Sequence, residues 1–300
     1  TPRLLAESAK KAVKDSGIKV TVFGEKEMKR LKMGGILGVG AGSKEESKFI
    51  ILEYNGGKKD DAPVVLVGKG VTFDTGGLNI KPSNFMTDMH LDMSGGGAVI
   101  HILALAGKLK IKKNIVGIIP AVENMPSGSS VRPGDVLRMM SGKTVEIGNT
   151  DAEGRIILGD GLTYARKYNP SMVIDIATLT GGALMAFGSR TSAIFSNNDK
   201  LSQKLTKIGQ KNGDYVWPMP LWEEYDKEIK GTFGDICNIG KPNGGGAIQA
   251  AMFLKHFTQD FPSWVHIDTA PRTTAADDEY LSKGSPAAGV RLLIKFLERV

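Results

Sequence analysis

Pro63-Val64-Val65-Leu66-Val67 is an unbroken apolar run, followed at once by Gly68-Lys69-Gly70-Val71-Thr72-Phe73-Asp74-Thr75-Gly76-Gly77. A run of this length and character reads as a strand buried on both faces, as strands of parallel sheets are. Asn114–Val122 and Met172–Ala177 have the same character, and Lys19–Phe23, Phe49–Tyr54 and Trp264–Asp268 are further β-rich runs. Helical periodicity fills the spaces between them, at Met93–Leu109, Glu153–Tyr168, Lys200–Lys211, Ala247–Thr258 and Ala287–Arg299. An opening helix spans residues 1–17, with Thr1 as cap, Pro2 in the first turn and Gly17 at its end. Strands alternating with helices predict an α/β fold: a mostly parallel central sheet covered by helices on both faces. No internal repeat or linker divides the chain, so one domain is expected.

The bulk numbers narrow the function. Of 300 residues, 41% are hydrophobic and 24% charged, as in an ordinary soluble globular protein. The longest apolar run, Ala98–Gly107, is too short to cross a bilayer, and the first residues carry no basic-then-apolar leader pattern. Cys237 is the only cysteine, which excludes an internal disulfide and suits a reducing compartment, the cytoplasm. The net charge of +7 invites a nucleic-acid reading. However, the densest lysine group (Lys108, Lys110, Lys112, Lys113) sits around one turn and lacks interleaved aromatics. With four histidines and no His-Glu-x-x-His pattern, a metal site here has to be built from carboxylates.

The acids cluster where sites form in such sheets, at the carboxyl ends of strands. Asp74 follows the strand at Pro63–Val67 through a glycine-rich loop, and Asp92 opens a helix. Asp151 and Glu153 lie in Asn149-Thr150-Asp151-Ala152-Glu153-Gly154-Arg155, where a loop enters the next helix. Thr150 or Asp151 as cap and Glu153 at the helix's positive end would account for that heptapeptide alone. The second acid-and-lysine segment, Lys69–Lys81, favours function over capping. Gly70, Gly76 and Gly77 in it fill no space and let the backbone approach a ligand closely. Asp175, near the end of a buried strand, reads equally as a site residue or a structural one.

The glycine-rich segment Val67–Gly77 and the heptapeptide Asn149–Arg155 resemble the two hallmark motifs of the leucyl aminopeptidase family. Asp92-Met93-Ser94-Gly95-Gly96, Glu123–Gly128, Arg132–Val136 and Asp175–Gly181 resemble further segments, so the likeness runs along the whole chain. The resemblance implies a two-metal aminopeptidase that releases apolar N-terminal residues from peptides. It assigns the metals to Lys69, Asp74, Asp92, Asp151 and Glu153, with Asp74 and Glu153 bridging. Lys69 ligates only as a neutral amine, a form that two adjacent dications favour. Two ions about 3.5–4 Å apart activate a bridging water and hold the developing oxyanion.

By the same resemblance, Lys81 points its ammonium at that oxyanion. Arg155 holds a bicarbonate used as general base, with backbone amides near Gly154 and Leu179 sharing the anion. Met89, Thr178, Leu179, Ala270 and Thr273 line the pocket for the first side chain, although Met86 and Met89 also read as plain core. The ligand chemistry suits Zn or Mn, among other divalent ions. A homo-hexamer is implied, and the N-terminal domain usual in the family is expected to be missing ahead of the catalytic domain expected at 1–300. Ser94-Gly95-Gly96-Gly97 departs from the family pattern and is expected to loosen a helix start by about 1 kcal/mol per glycine. Thr269-Ala270-Pro271 and Thr273 also depart, which leaves the preferred side chain open. A two-metal phosphoesterase and a nucleic-acid-binding role are the rival readings.

Overall fold

The computed structural model describes residues 1–241, 244–281 and 283–299. The strands are β1 (Lys19–Phe23), β2 (Lys48–Asn55), β3 (Val64–Gly68), β4 (Gly70–Asp74), β5 (Asn114–Asn124), β6 (Val136–Arg138), β7 (Thr144–Glu146), β8 (Met172–Ala177), β9 (Ser192–Ser196), β10 (Val216–Pro218), β11 (Ile236–Cys237) and β12 (Trp264–Asp268). The helices are α1 (Pro2–Ala12), α2 (Glu25–Arg30), α3 (Gly34–Gly40), α4 (Ser83–Met86), α5 (Ser94–Lys108), α6 (Glu153–Ala165), α7 (Gly181–Phe187), α8 (Asp199–Asn212), α9 (Gly246–Lys255) and α10 (Val290–Leu297).

The main sheet runs β1-β2-β5-β3-β8-β12-β9-β10, with β4 beside the far half of β5. Its centre is parallel (β5, β3, β8, β12, and β4 on β5), as is β9 with β10. The pairs β1/β2, β2/β5 and β9/β12 are antiparallel. Along β3 the residues alternate between two cores. Val65 and Val67 join α3, α6 and α9 on one face, while Val64 and Leu66 join α1, α5, α8 and α10 on the other. That two-sided burial is why the strand is apolar without interruption. A small second sheet, β11-β7-β6, which the sequence reading did not anticipate, lies apart from the main one.

Two expectations are corrected and a third is extended. The segment after Val67 is a strand, not a loop: β5 is long enough to pair with β3 at Ile115–Ile118 and with β4 from Ala121 to Asn124. Gly70 is there for packing, since a β-carbon on it would stand 2.6 Å from the Pro120 carbonyl oxygen. The glycines opening α5 also serve packing, which the helix-propensity reading leaves out. A β-carbon at Gly95 would lie 2.1 Å from Ile176 O, so its absence lets α5 press on β8.

Helix boundaries shift modestly. The first helix ends at Ala12 and reaches Gly17 through turns, with Thr1 Oγ1 accepting from Leu4 N as expected. The last begins only at Val290, after Gly289 in a left-handed conformation. Ser83–Lys108 is apolar and long enough by composition to span a bilayer, yet over half of its most apolar window is buried. It is also interrupted between α4 and α5. Its α5 part is a core helix, whereas Ser83–Leu91 lies outside the core.

Candidate metal centre

The carboxyl ends of β3, β4, β5, β8 and β12 converge on the acids. Lys69 stands at the break between β3 and β4. Its N–H donates to Ile176 O (3.0 Å) and its carbonyl accepts from Gly96 N (2.7 Å), which ties it to β8 and to α5. Its ammonium lies 2.8 Å from Asp92 Oδ2 and 2.8 Å from Glu153 Oε1, and donates to Thr178 O at 3.0 Å. Thr178 Oγ1 in turn donates to Asp92 Oδ1 (2.7 Å).

Asp74 closes β4. Its Oδ1 accepts from Gly76 N (2.9 Å) and Asn124 Nδ2 (2.8 Å), while Oδ2 lies 2.9 Å from Lys81 Nζ. Lys81 also reaches Asp151 Oδ1 at 2.5 Å. Asp74, Asp151 and Glu153 each bring a carboxylate oxygen within 4.8 Å of the others. Thus four acids and two lysines, drawn from the segments 69–81, 92 and 151–153, meet at one place.

The charges are strained by burial. Glu153 and Asp92 are held above the ordinary carboxylate range first by burial and then by neighbouring acids, against the pull of Lys69. Asp151 rises for the same reason, with Lys81 opposing. Burial pulls Lys69 and Lys81 downward, but the surrounding carboxylates outweigh it and both stand above an ordinary lysine. Glu153 Oε2 is buried without a hydrogen-bond partner. An unpartnered buried carboxylate oxygen among crowded acids fits a cation ligand. The donor set, four carboxylates and a lysine, therefore suits divalent ions. Ligation by Lys69 requires loss of a proton that the acids by themselves retain, so nearby dications have to reverse that balance.

Arg155, in the first turn of α6, donates through Nη1 to Asn238 O (2.7 Å), while its Nε is buried without a partner. Burial lowers its pKa to about 10, against the pull of Glu153 and Asp268. The Leu179 amide, expected to help hold an anion, donates instead to Asp268 Oδ1 (3.0 Å). Asp268 also accepts from Thr180 Oγ1 (2.6 Å) and Ala270 N (3.1 Å), which joins the loops after β8 and β12.

Of the five residues expected to form a side-chain pocket, Leu179 and Ala270 meet around that carboxylate, while Thr178 is engaged with Asp92 and Lys69. Thr273 turns its hydroxyl back to Ala270 O (3.4 Å), and Met89 lies in a single helical turn before Asp92. Met86 and Met89 are half-buried and belong to neither core. Asp175 is structural: fully buried, it accepts from Trp264 Nε1 (2.6 Å) and pairs with His266 Nδ1 (2.5 Å) across β8 and β12. In the sequence Thr150 reads only as a candidate helix cap, a position that Ala152 takes instead, and nothing there singles out Asn124. Their pairing across the site has no local pattern that would reveal it.

A family model described as "Cytosol aminopeptidase family, catalytic domain" matches residues 1–294. The chain belongs to the cytosol aminopeptidase family. It is 48% identical over 293 residues to a "Probable cytosol aminopeptidase" of Chloroherpeton thalassium, covering 97% of this chain and 57% of that protein. A relative of the same name from Paraburkholderia xenovorans is 48% identical over 301 residues, covering 99% and 58%. One from Rickettsia massiliae is 48% identical over 302 residues, covering 99% and 60%. The chain thus spans under two thirds of the length of these curated relatives. The α/β architecture and the carboxylate cluster agree with membership of the cytosol aminopeptidase family.

Proposed function

We propose that this chain is the catalytic part, 1–300 as one domain, of a metal-dependent aminopeptidase that removes apolar N-terminal residues from peptides. The observation that carries the reading is the convergence of Asp74, Asp151 and Glu153 within 4.8 Å, beside the ion-paired Lys69 and Asp92. Lys69, Asp74, Asp92, Asp151 and Glu153 would hold two divalent ions, Zn or Mn by the chemistry of the donors. When bound, such ions supply Lewis acidity and an activated water.

The chain's own residues supply the rest. Lys81 presents a fixed positive charge beside Asp74 and Asp151, where it favours negative charge developing on a peptide carbonyl oxygen. Arg155 offers a buried cation with a free Nε at the start of α6, where a small anion such as bicarbonate is favoured. Its Nη1 bond to Asn238 O orients the guanidinium. Met89, Thr178, Leu179, Ala270 and Thr273 would surround the first side chain, with Asp268 holding two of their loops together. The relatives' name supports a cytoplasmic setting, and the family resemblance supports a homo-hexamer. No observation on the fold or in the comparisons favours a phosphoesterase or a nucleic-acid role.

A matched peptide pair tests the reading. A free amine can reach the acid-lined centre, whereas an acetylated one loses its ligand character and adds bulk. The free peptide should be cut much faster in the presence of a divalent metal. Equal rates on both peptides would overturn the proposal.

A further inference from the structure

We propose that Asn124 is a positioning residue that restricts Asp74 to a single inward-facing oxygen, Oδ2. The inference rests on the metal-site reading above and concerns how the chain sets the denticity of its own ligand.

Asn124 ends β5 beside Asp74 and is buried at 5% exposure. Its Nδ2 donates to Asp74 Oδ1 (2.8 Å) and to Thr150 O (3.0 Å). Its backbone carbonyl accepts from Thr75 N (3.0 Å) and Thr75 Oγ1 (2.8 Å). One residue therefore ties together the two segments that bring Asp74 and Asp151 to the centre. The amide orientation follows from chemistry, since both partners of Nδ2 are acceptors and the flipped amide would set oxygen against oxygen.

The consequence lies in the lone pairs of Asp74. A carboxylate oxygen offers two, and Oδ1 meets two donors, Asn124 Nδ2 and Gly76 N at 2.9 Å. Oδ1 is thus saturated, and Oδ2, facing Lys81 at 2.9 Å, is the oxygen left to serve a cation. Glu153 differs, because its Oε1 meets Lys69 while its Oε2 has no partner. The two acids assigned as bridges are consequently not equivalent. Asp74 would offer the ions only its Oδ2, already beside Lys81, whereas Glu153 would offer an unpartnered Oε2 besides the Oε1 that meets Lys69.

Asn124→Asp is the sharp variant, because it keeps the size but replaces the donor with an acceptor aimed at Asp74 Oδ1 and Thr150 O. Asn124→Ala removes the donor alone. Mn2+ affinity is read by chelator competition, folding by circular dichroism, and peptide hydrolysis by separate kcat and KM. Loss of an outer-shell donor is expected to weaken Mn2+ binding roughly 10- to 100-fold in Asn124→Ala, and further in Asn124→Asp. The fold should be retained and kcat should fall more than KM rises. Wild-type Mn2+ affinity in a folded Asn124→Asp protein overturns the inference and leaves the metal reading intact. Failure of both variants to fold makes Asn124 a fold determinant and also overturns it. Failure of the wild-type protein to bind Mn2+ overturns the metal reading itself, and this inference with it.

Discussion

Gly154 lies against the side chain of Lys69: a β-carbon on Gly154 would stand 2.6 Å from Lys69 Cε and 2.8 Å from Nζ. A flexible lysine tip ordinarily moves aside. This one is held by Asp92, Glu153 and Thr178, so moving it breaks three contacts. Gly154→Ala should therefore stay folded, because alanine gains about 1 kcal/mol of helix propensity over glycine. Peptidase activity should nevertheless fall at least about tenfold, the consequence of a displaced ligand. Thermal unfolding alongside a rate assay separates the two. Full activity in Gly154→Ala would remove Lys69 from the proposed ligand set.

The acids predict unequal metal losses. Asp74→Asn should cost most of both ions, whereas Asp92→Asn, whose carboxylate meets Lys69 and Thr178, should chiefly weaken one. Metal analysis after dialysis gives the stoichiometry of each variant. Two ions retained in Asp74→Asn would refute the bridging assignment.

The two cations should differ in the chemistry they support. Lys81→Ala should keep the fold and lose about 3–4 kcal/mol of transition-state stabilisation, the scale of an oxyanion donor. Arg155→Ala should lose less and recover in part with added bicarbonate. Comparing kcat/KM with and without that anion is the measurement. An unchanged rate in Lys81→Ala would exclude it from catalysis.

Asp160, on α6 and fully buried, accepts from Ile36 N (3.0 Å) and Met140 N (2.8 Å). Burial pushes its carboxyl up to about 7, against the lowering effect of these amides. The folded state thus holds a proton that the unfolded chain releases near pH 4. Asp160 contributes stability below that value, and loses it as pH rises through about 7. With a chelator present, denaturant midpoints of wild type should fall between pH 4 and 8 more than those of Asp160→Asn, which has no proton to lose. Parallel pH profiles would show that Asp160 does not titrate in this range.

Most strands and long helices were legible in the sequence because burial writes a local pattern. Lys19–Phe23, Met172–Ala177 and Trp264–Asp268 agree with the structure end to end. The misses had weak or misleading local signals. β4 was hidden by Gly70, which serves the close approach of β5, and α3 (Gly34–Gly40) is four-sevenths glycine.

By itself the sequence determined the α/β class, the buried strands and the acid-bearing segments, since each depends on residues close together in the chain. Only the tertiary structure decided what those acids meet. Asn124 and Asp74 are 50 positions apart, Thr178 and Asp92 86, and Leu179 and Asp268 89. Asp175 became structural for the same reason, because its partner His266 lies 91 positions away on a neighbouring strand. A hydrogen bond acts over about 3 Å and leaves no periodic trace in composition. Its donor and acceptor become neighbours only when β3, β5, β8 and β12 align their carboxyl ends.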